Sequence, residues 1–303
     1  MAGGVERTLR RRIRSVQATK KITRAFELIA ASQIVRAQQR IAANRPYREG
    51  MAHIVLEAAK ADPGSEQLVG TPEEPNHIAV VLLVGDRGLS GPYNSSVFRA
   101  GEALIAQHRR SDAEVEIYTV GRKAVAHFRF RGREITESFS SMSDRPTFAD
   151  ARQVAAGLWR RFHAGELDLI QLVSTRYRSA GHQSVEVRQL LPLPDPAAEH
   201  DDQERDAEGP ARGGYTEFEP DGETVLRALM PRALESEIFS ALLEASASEH
   251  AARQRAMAAA TDNADELVTT LTRTMNRARQ DAITNEIMEI VGGAEALRSA
   301  KGA

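Results

Sequence analysis

The chain has 303 residues, of which 42 % are hydrophobic and 27 % charged, with a net charge of −2. That composition is ordinary for a soluble globular protein of one or two domains and excludes a wholly disordered chain. There is no cysteine, which excludes disulfides and thiolate chemistry, and the longest apolar run, Ile78 to Val84, is far too short to cross a bilayer.

The near-zero net charge hides opposed blocks. Residues 1–48 carry 12 Lys and Arg against two Glu, and residues 195–223 carry 11 Asp and Glu against two Arg. Over residues 3–48, Leu9, Ile13, Val16, Ile22, Phe26, Ile29, Ala30, Ile34, Ala37 and Ile41 recur as a narrow apolar stripe on a basic background, which predicts a long helix. Pro46 and Gly50 predict a bend, with a second helical segment from Met51 to Ala61. With no spacer between the Arg-rich start and this helix, the N-terminus reads as mature protein rather than as a transit peptide.

Residues 77–194 alternate. Strands are predicted at His77–Val84, Val115–Val120, Glu134–Phe139, Leu169–Tyr177 and Ser184–Leu191, and helices at Tyr93–Arg109, Lys123–Phe130 and Phe148–His163. That order is the pattern of an open, largely parallel, Rossmann-like α/β sheet. Residues 195–223 are too polar to bury a core and read as an acidic flexible loop.

From Arg232 to Val291 there are 60 residues without Gly or Pro, with Pro231 before them and Gly292-Gly293 after, the usual order of helix start and stop. One helix of that length reaches about 90 Å, so part of it must leave a compact domain and needs a partner. Its expected seam is Leu234, Ile238, Ala241, Ala245, Ser248, Ala252, Ala256, Ala259, Asn263, Leu267, Leu271, Met275 and Ala278, spaced at about 3.6 to 3.7 residues and predicting only gentle winding. Ile283, Ile287, Met288, Ile290 and Val291 are apolar on several sides, so a partner protein is expected to bury them. The resulting fold class is α+β: a long antiparallel helical coiled coil of the N- and C-terminal helices (1–61 and 224–303) with a central α/β domain (77–194).

Gly85-Asp86-Arg87-Gly88-Leu89-Ser90-Gly91 follows a strand and opens a helix, but its spacing is G-x-x-G-x-x-G and Pro92 removes a backbone donor, so it reads as a tight turn rather than a dinucleotide site. There is no Walker lysine motif, metal-ligand spacing or nucleophile elbow, and the eight His are scattered. No catalytic residue, cofactor or metal is expected. Two other readings stay open on the residues alone: a nucleic-acid adaptor using the basic helix LRRRIRSVQATKKITR, and a nucleotide-dependent enzyme on the α/β domain.

At Ile13-Arg14-Ser15-Val16, Thr19-Lys20-Lys21-Ile22-Thr23-Arg24-Ala25 and Ala30-Ala31-Ser32 the chain resembles the γ subunit of rotary F-type ATP synthases of the bacterial type. Asp86 to Asn94 and the segment Asn276-Arg277-Ala278-Arg279-Gln280 through Glu289-Ile290-Val291-Gly292-Gly293-Ala294 agree in order. Phe26 and Gln33 stand where the family usually has Met and Lys, Gln254 where Met is common, and Asp281 where a small residue is usual. The resemblance implies the central rotor shaft of a proton-driven ATP synthase, without an active site of its own. Its implied partners are the α and β subunits, the ε subunit and the membrane c-ring, with no nucleic acid and no small-molecule substrate. Its implied place is the cytoplasmic face of the bacterial plasma membrane, as a peripheral protein. The family pattern makes Arg24, Phe26, Arg253, Arg279, Gln280, Thr284 and Glu289 candidate contacts with β, and Ile287, Ile290 and Val291 an apolar bearing tip.

Overall fold

The computed structural model describes residues 2–61, 68–70, 72–194, 218–219 and 221–301. Most of the acidic segment, 195–217 with 220, lies outside the described residues. The elements are α1 (Ala2–Ala61), β1 (His77–Leu83), α2 (Tyr93–Arg110), β2 (Glu114–Val120), α3 (Arg122–Phe130), β3 (Glu137–Phe139), α4 (Phe148–His163), β4 (Leu169–Tyr177), β5 (Gln183–Leu191) and α5 (Gly222–Lys301). The chain divides into two compact units: residues 1–29 with 254–303, and residues 30–253.

The larger unit is built on one five-stranded sheet in the order β3-β2-β1-β4-β5. β1 pairs in parallel with β2 and β4, and β2 pairs in parallel with β3. β5 turns back antiparallel on β4 as the far edge strand. Because side chains alternate along a strand, β1 feeds two cores. Ile78, Val80 and Leu82 meet Val97, Leu104 and Ile105 of α2 and Ala124 and Phe128 of α3. Ala79, Val81 and Leu83 meet Val154, Ala155 and Leu158 of α4, Val55 and Ala58 of α1, and Leu234, Ile238, Ala241 and Ala245 of α5. A strand covered on both faces must be apolar throughout, which is why HIAVVLL lacks the alternation of a half-exposed strand.

Local chemistry sets the element boundaries. Thr147 caps α4: its hydroxyl accepts from the Asp150 N–H, and the Asp150 carboxylate accepts from the Thr147 N–H at 2.7 Å. α4 is tied to β2 by Arg161, which donates to Glu116 and, at 2.8 Å, to the Tyr118 hydroxyl. Burial pushes Tyr118 up to about 12, with the Arg161 hydrogen bond opposing the rise and Glu116 adding to it.

α1 is one helix through Pro46 and Gly50 and ends at Ala61, the expected end of its second segment, while α5 begins at Gly222, ahead of Pro231, and continues beyond Gly292-Gly293. Proline costs a helix about 3 kcal/mol. Around Pro231 that is offset by the buried Leu226, Met230, Ala233 and Leu234, and after Pro46 by Val55 and Ala58. Asp221 caps the new start, accepting from the Thr224 N–H at 2.7 Å. The two C-terminal glycines cost only about 1 kcal/mol each, too little to stop an established helix.

Gly121, between β2 and α3, has φ 107°, and a Cβ there would lie 2.2 Å from the Val84 carbonyl oxygen. Gly121→Ala is expected to destabilise the chain by about 2 kcal/mol or more, from backbone strain and the clash together. Urea denaturation of the full chain measures this, and an unchanged midpoint would contradict the turn described.

Candidate partner-binding site

Within the smaller unit, α1 and α5 pair antiparallel. Lys20 Nζ meets Asp265 at 2.6 Å, and the hydroxyls of Thr23 and Thr261 share a hydrogen bond of 2.8 Å. The less exposed positions of α1 here are Leu9, Ile13, Val16, Lys20, Thr23 and Glu27, and those of α5 are Met257, Thr261, Ala264, Val268, Leu271 and Met275. Both sets step alternately by three and four residues, a period of 3.5, which winds two helices left-handed around each other. The expected seam is therefore corrected: Ala259, Asn263 and Leu267 face outward, while Leu271 and Met275 keep their expected place in it.

The same correction on α1 keeps Leu9, Ile13 and Val16 in the seam but moves three expected members out of it. Ile22, Phe26 and Ile29, placed in the stripe by sequence, are 56, 39 and 57 % exposed, while Lys20, Thr23 and Glu27 take the seam. Positions 22, 26 and 29 lie at i, i+4 and i+7, so they form one continuous apolar face that the partner helix does not cover. Beside them, the exposed Arg24 is held by Glu27 at 2.7 Å.

The register also bares the end of α5. Eighteen residues beyond the Lys20–Asp265 pair along each helix, Ala2 falls opposite Ile283, so the rest of α5 runs on past the start of α1. Ile283, Ile287, Met288, Ile290 and Val291 are all exposed, Ile290 by 71 %. Arg279, Gln280, Thr284 and Glu289 are exposed on the same stretch, and Arg279 and Glu289 make no ion pair among the described residues. The structure thus brings Arg24 and Phe26 together on α1, and Arg279, Gln280, Thr284, Glu289 and the apolar tip together on α5.

Arg253 belongs to the larger unit and is turned inward. Its guanidinium is paired with Glu249 and donates to the Gly88 carbonyl oxygen at 3.4 Å. The Glu249 carboxylate lies against Gly85, where a Cβ would come within 2.8 Å of it. Two features that sequence reading kept apart, the glycine turn and the α5 arginine, are one packing joint. Tyr93, at the start of α2, completes it by donating to the Ala245 carbonyl oxygen at 3.1 Å. From Ala241 to Ala252 every residue of α5 is buried, which the run of Ala and Ser permits by letting neighbours approach closely.

Asp86 locks this turn from within. Its carboxylate accepts from the N–H groups of Arg122, Ser141 and Ser143 at 3.1, 3.0 and 3.3 Å. Burial would raise its pKa, but these bonds outweigh burial and hold it below the usual carboxylate value. Nearby, burial lowers the His250 pKa, keeping the ring neutral against the Asp144 carbonyl oxygen, 3.3 Å away. Sequence could have flagged Asp86 as a loop acceptor. Nothing in sequence pairs Glu249 with Gly85.

No group of side chains able to hold a metal ion occurs among the described residues, and none of the helices there is long and apolar enough to cross a membrane. What the site offers is surface: exposed apolar faces flanked by charge.

A family model described as ATP synthase matches residues 6–297. The ATP synthase gamma chain of Parafrankia sp. (strain EAN1pec) is 47 % identical over 305 residues, covering 99 % of each chain. That of Streptomyces coelicolor is 45 % identical, covering 98 % of each. Among solved structures, a chain of the Euglena gracilis mitochondrial ATP synthase rotor has a TM-score of 0.63 at 20 % identity, covering 93 % of this chain and 99 % of that one. A chain of the Tetrahymena thermophila mitochondrial ATP synthase central stalk and c-ring has a TM-score of 0.60 at 21 % identity, covering 79 % and 99 %. At those identities the structures speak to the fold.

Because Asp86 titrates below its unfolded value of about 3.9, its ionised form contributes stability that is present in full above that pH and lost as pH falls through the lower folded value. Asp86→Asn is therefore expected to destabilise the chain at pH 7 and to destabilise it less at a pH below the ordinary carboxylate value. Urea midpoints at the two pH values measure it. An equal difference at both would mean that the carboxylate's charge plays no part.

Proposed function

The chain belongs to the ATP synthase gamma chain family, and on that premise we propose that it is the rotor shaft coupling c-ring rotation to conformational change at the catalytic β subunits. The observation that carries this reading is the apolar surface left outside the seam of the helical pair: Ile22, Phe26 and Ile29 on α1, and Ile283, Ile287, Ile290 and Val291 on α5, are uncovered. A free-standing pair of helices buries its apolar residues between the two chains. One that leaves them outward is built to be enclosed.

In this reading the helical pair, from 1–61 and 224–303, is enclosed by the alternating α and β subunits, and the α/β domain, 77–194, engages the ε subunit and the c-ring. The 195–223 segment is a flexible acidic loop. The complex takes this chain to the cytoplasmic face of the bacterial plasma membrane as a peripheral subunit. ATP chemistry belongs to β, and this chain's part is mechanical. A single asymmetric rod presents a different face to each of three β subunits, so each orientation favours a different open or closed state at each site. That is coupling through differential contact. Arg24 and Phe26 meet β low on the helices, and Arg279, Gln280, Thr284 and Glu289 meet it near the tip. Ile287, Ile290 and Val291 turn in an apolar sleeve, where contacts without direction leave no hydrogen bond to break on rotation. Arg253 belongs to the contact set by its motif. Its pairing with Glu249 makes it a support for the turn beneath, and its effect on β runs through that turn.

Reconstitution tests this function. A complex with one copy of this chain, three α and three β is expected by native mass, and its ATPase activity is expected to be lost when the chain is omitted. Truncation after Asn285 is expected to leave the chain folded, since that stretch has no partner helix, while ATP synthesis driven by a proton gradient falls several-fold. Undiminished synthesis would remove the tip from the mechanism.

Arg279→Glu reverses an exposed charge that makes no ion pair among the described residues. It is expected to lower turnover about tenfold or more with the complex assembled normally, because a like-charge contact costs on the order of 1–2 kcal/mol. Failure of assembly before turnover would assign Arg279 to packing.

A further inference from the structure

In the larger unit, a cleft of about 170 Å³ opens where α1, the loop before α4 and α5 converge. Arg36 and Arg40, one turn apart on α1, line it, with Arg145 and Asp144 from the loop and Ser246 and His250, again one turn apart, from α5. We propose that this cleft is an oxyanion site of phosphate class, a binding function separate from the shaft surfaces above.

The charge balance points that way. Three guanidinium groups face one carboxylate, and Arg36 and Arg145 are exposed and make no ion pair among the described residues. Arg40 is already oriented: its guanidinium donates to the Pro146 carbonyl oxygen, which uses one of its five N–H donors and fixes the plane of the others. The loop itself is pinned, because the Asp144 carbonyl oxygen accepts from Ser246 Oγ at 3.1 Å and lies 3.3 Å from His250 Nε2. The Asp144 carboxylate is drawn to the same ring, with one oxygen 3.7 Å from His250 Nε2. His250 is itself almost wholly buried, its side chain only 4 % exposed. A planar fork held rigid beside two uncommitted guanidiniums is the arrangement that recognises tetrahedral oxyanions by paired N–H···O bonds.

Size narrows the ligand. At about 30 Å³ per water, the cleft has room for about five waters, enough for a phosphate group with its remaining hydration. Pockets that enclose nucleotide- or drug-sized ligands begin near 300 Å³, so a whole nucleotide does not fit within it. The ligand is inorganic phosphate or a terminal phosphate group that enters alone.

The test is calorimetric titration of the full chain with inorganic phosphate at low millimolar concentration, with chloride at matched ionic strength in the cell. Saturable binding of about one phosphate per chain is expected. The double variant R36Q/R145Q, which alters only exposed side chains, is expected to weaken it at least tenfold. Arg36→Lys keeps the charge but not the fork, and is expected to fall between. Absence of heat beyond the chloride background overturns the site, as does unchanged binding in the double variant. If phosphate does not bind the full chain but R36Q/R145Q disrupts assembly with α and β, the arginines serve a protein carboxylate and the proposal fails.

Discussion

The larger unit depends on how closely α5 approaches the end of β1. Gly85 provides the space, and the Glu249 carboxylate fills it, so that a side chain at position 85 would displace that carboxylate. Around that point the contacts reinforce one another: Arg253 pairs with Glu249 and bonds the Gly88 carbonyl, Tyr93 holds Ala245, and Asp86 gathers the N–H groups of three residues from two other loops. A buried carboxylate and guanidinium gain little as a pair, because removing both from water costs most of what their attraction returns. Both lie on α5, one turn apart, so what ties the helix to the turn is the further bond from Arg253 to the Gly88 carbonyl oxygen.

In the smaller unit the same logic appears with less burial. A coiled coil gains most of its stability from large apolar residues in the seam, and here Lys20, Thr23 and Thr261 interrupt a seam otherwise made of residues such as Ile13, Val16, Val268 and Leu271. Polar seam residues cost stability and fix register, because any slip separates the paired groups. The apolar residues released from the seam face outward instead. Weak internal grip, strict register and an apolar exterior are mutually consistent in a helical pair that an enclosing partner completes.

Strand positions were legible because buried apolar runs such as HIAVVLL and LIQLV have few alternatives, and α4 was expected at the residues where it is found. The family motifs were equally readable. The helix seams were not. A stripe drawn through Ile22, Phe26 and Ile29 is a valid helical face by spacing, and sequence favours an apolar face as the inner one. Only the cross-helix pairs Lys20–Asp265 and Thr23–Thr261 show that the inner face passes through positions 20 and 23 instead. A helix start at Pro231 failed for a related reason: local rules count the lost hydrogen bond, while the compensating burial comes from distant parts of the chain. Arg253 was found by motif, but its partner Glu249 and its neighbour Gly85 are joined only by folding.

The unaccompanied end of α5 also bears on the chain before it meets its partners. Ile283, Ile287, Met288, Ile290 and Val291 together form an apolar surface that water does not tolerate well at high concentration. A newly made chain carries that surface from the moment α5 forms, and two such ends cover each other more readily than either stays bare. Synthesis in step with the enclosing subunits is then a matter of solubility as well as stoichiometry, and an excess of this chain alone would be lost to self-association.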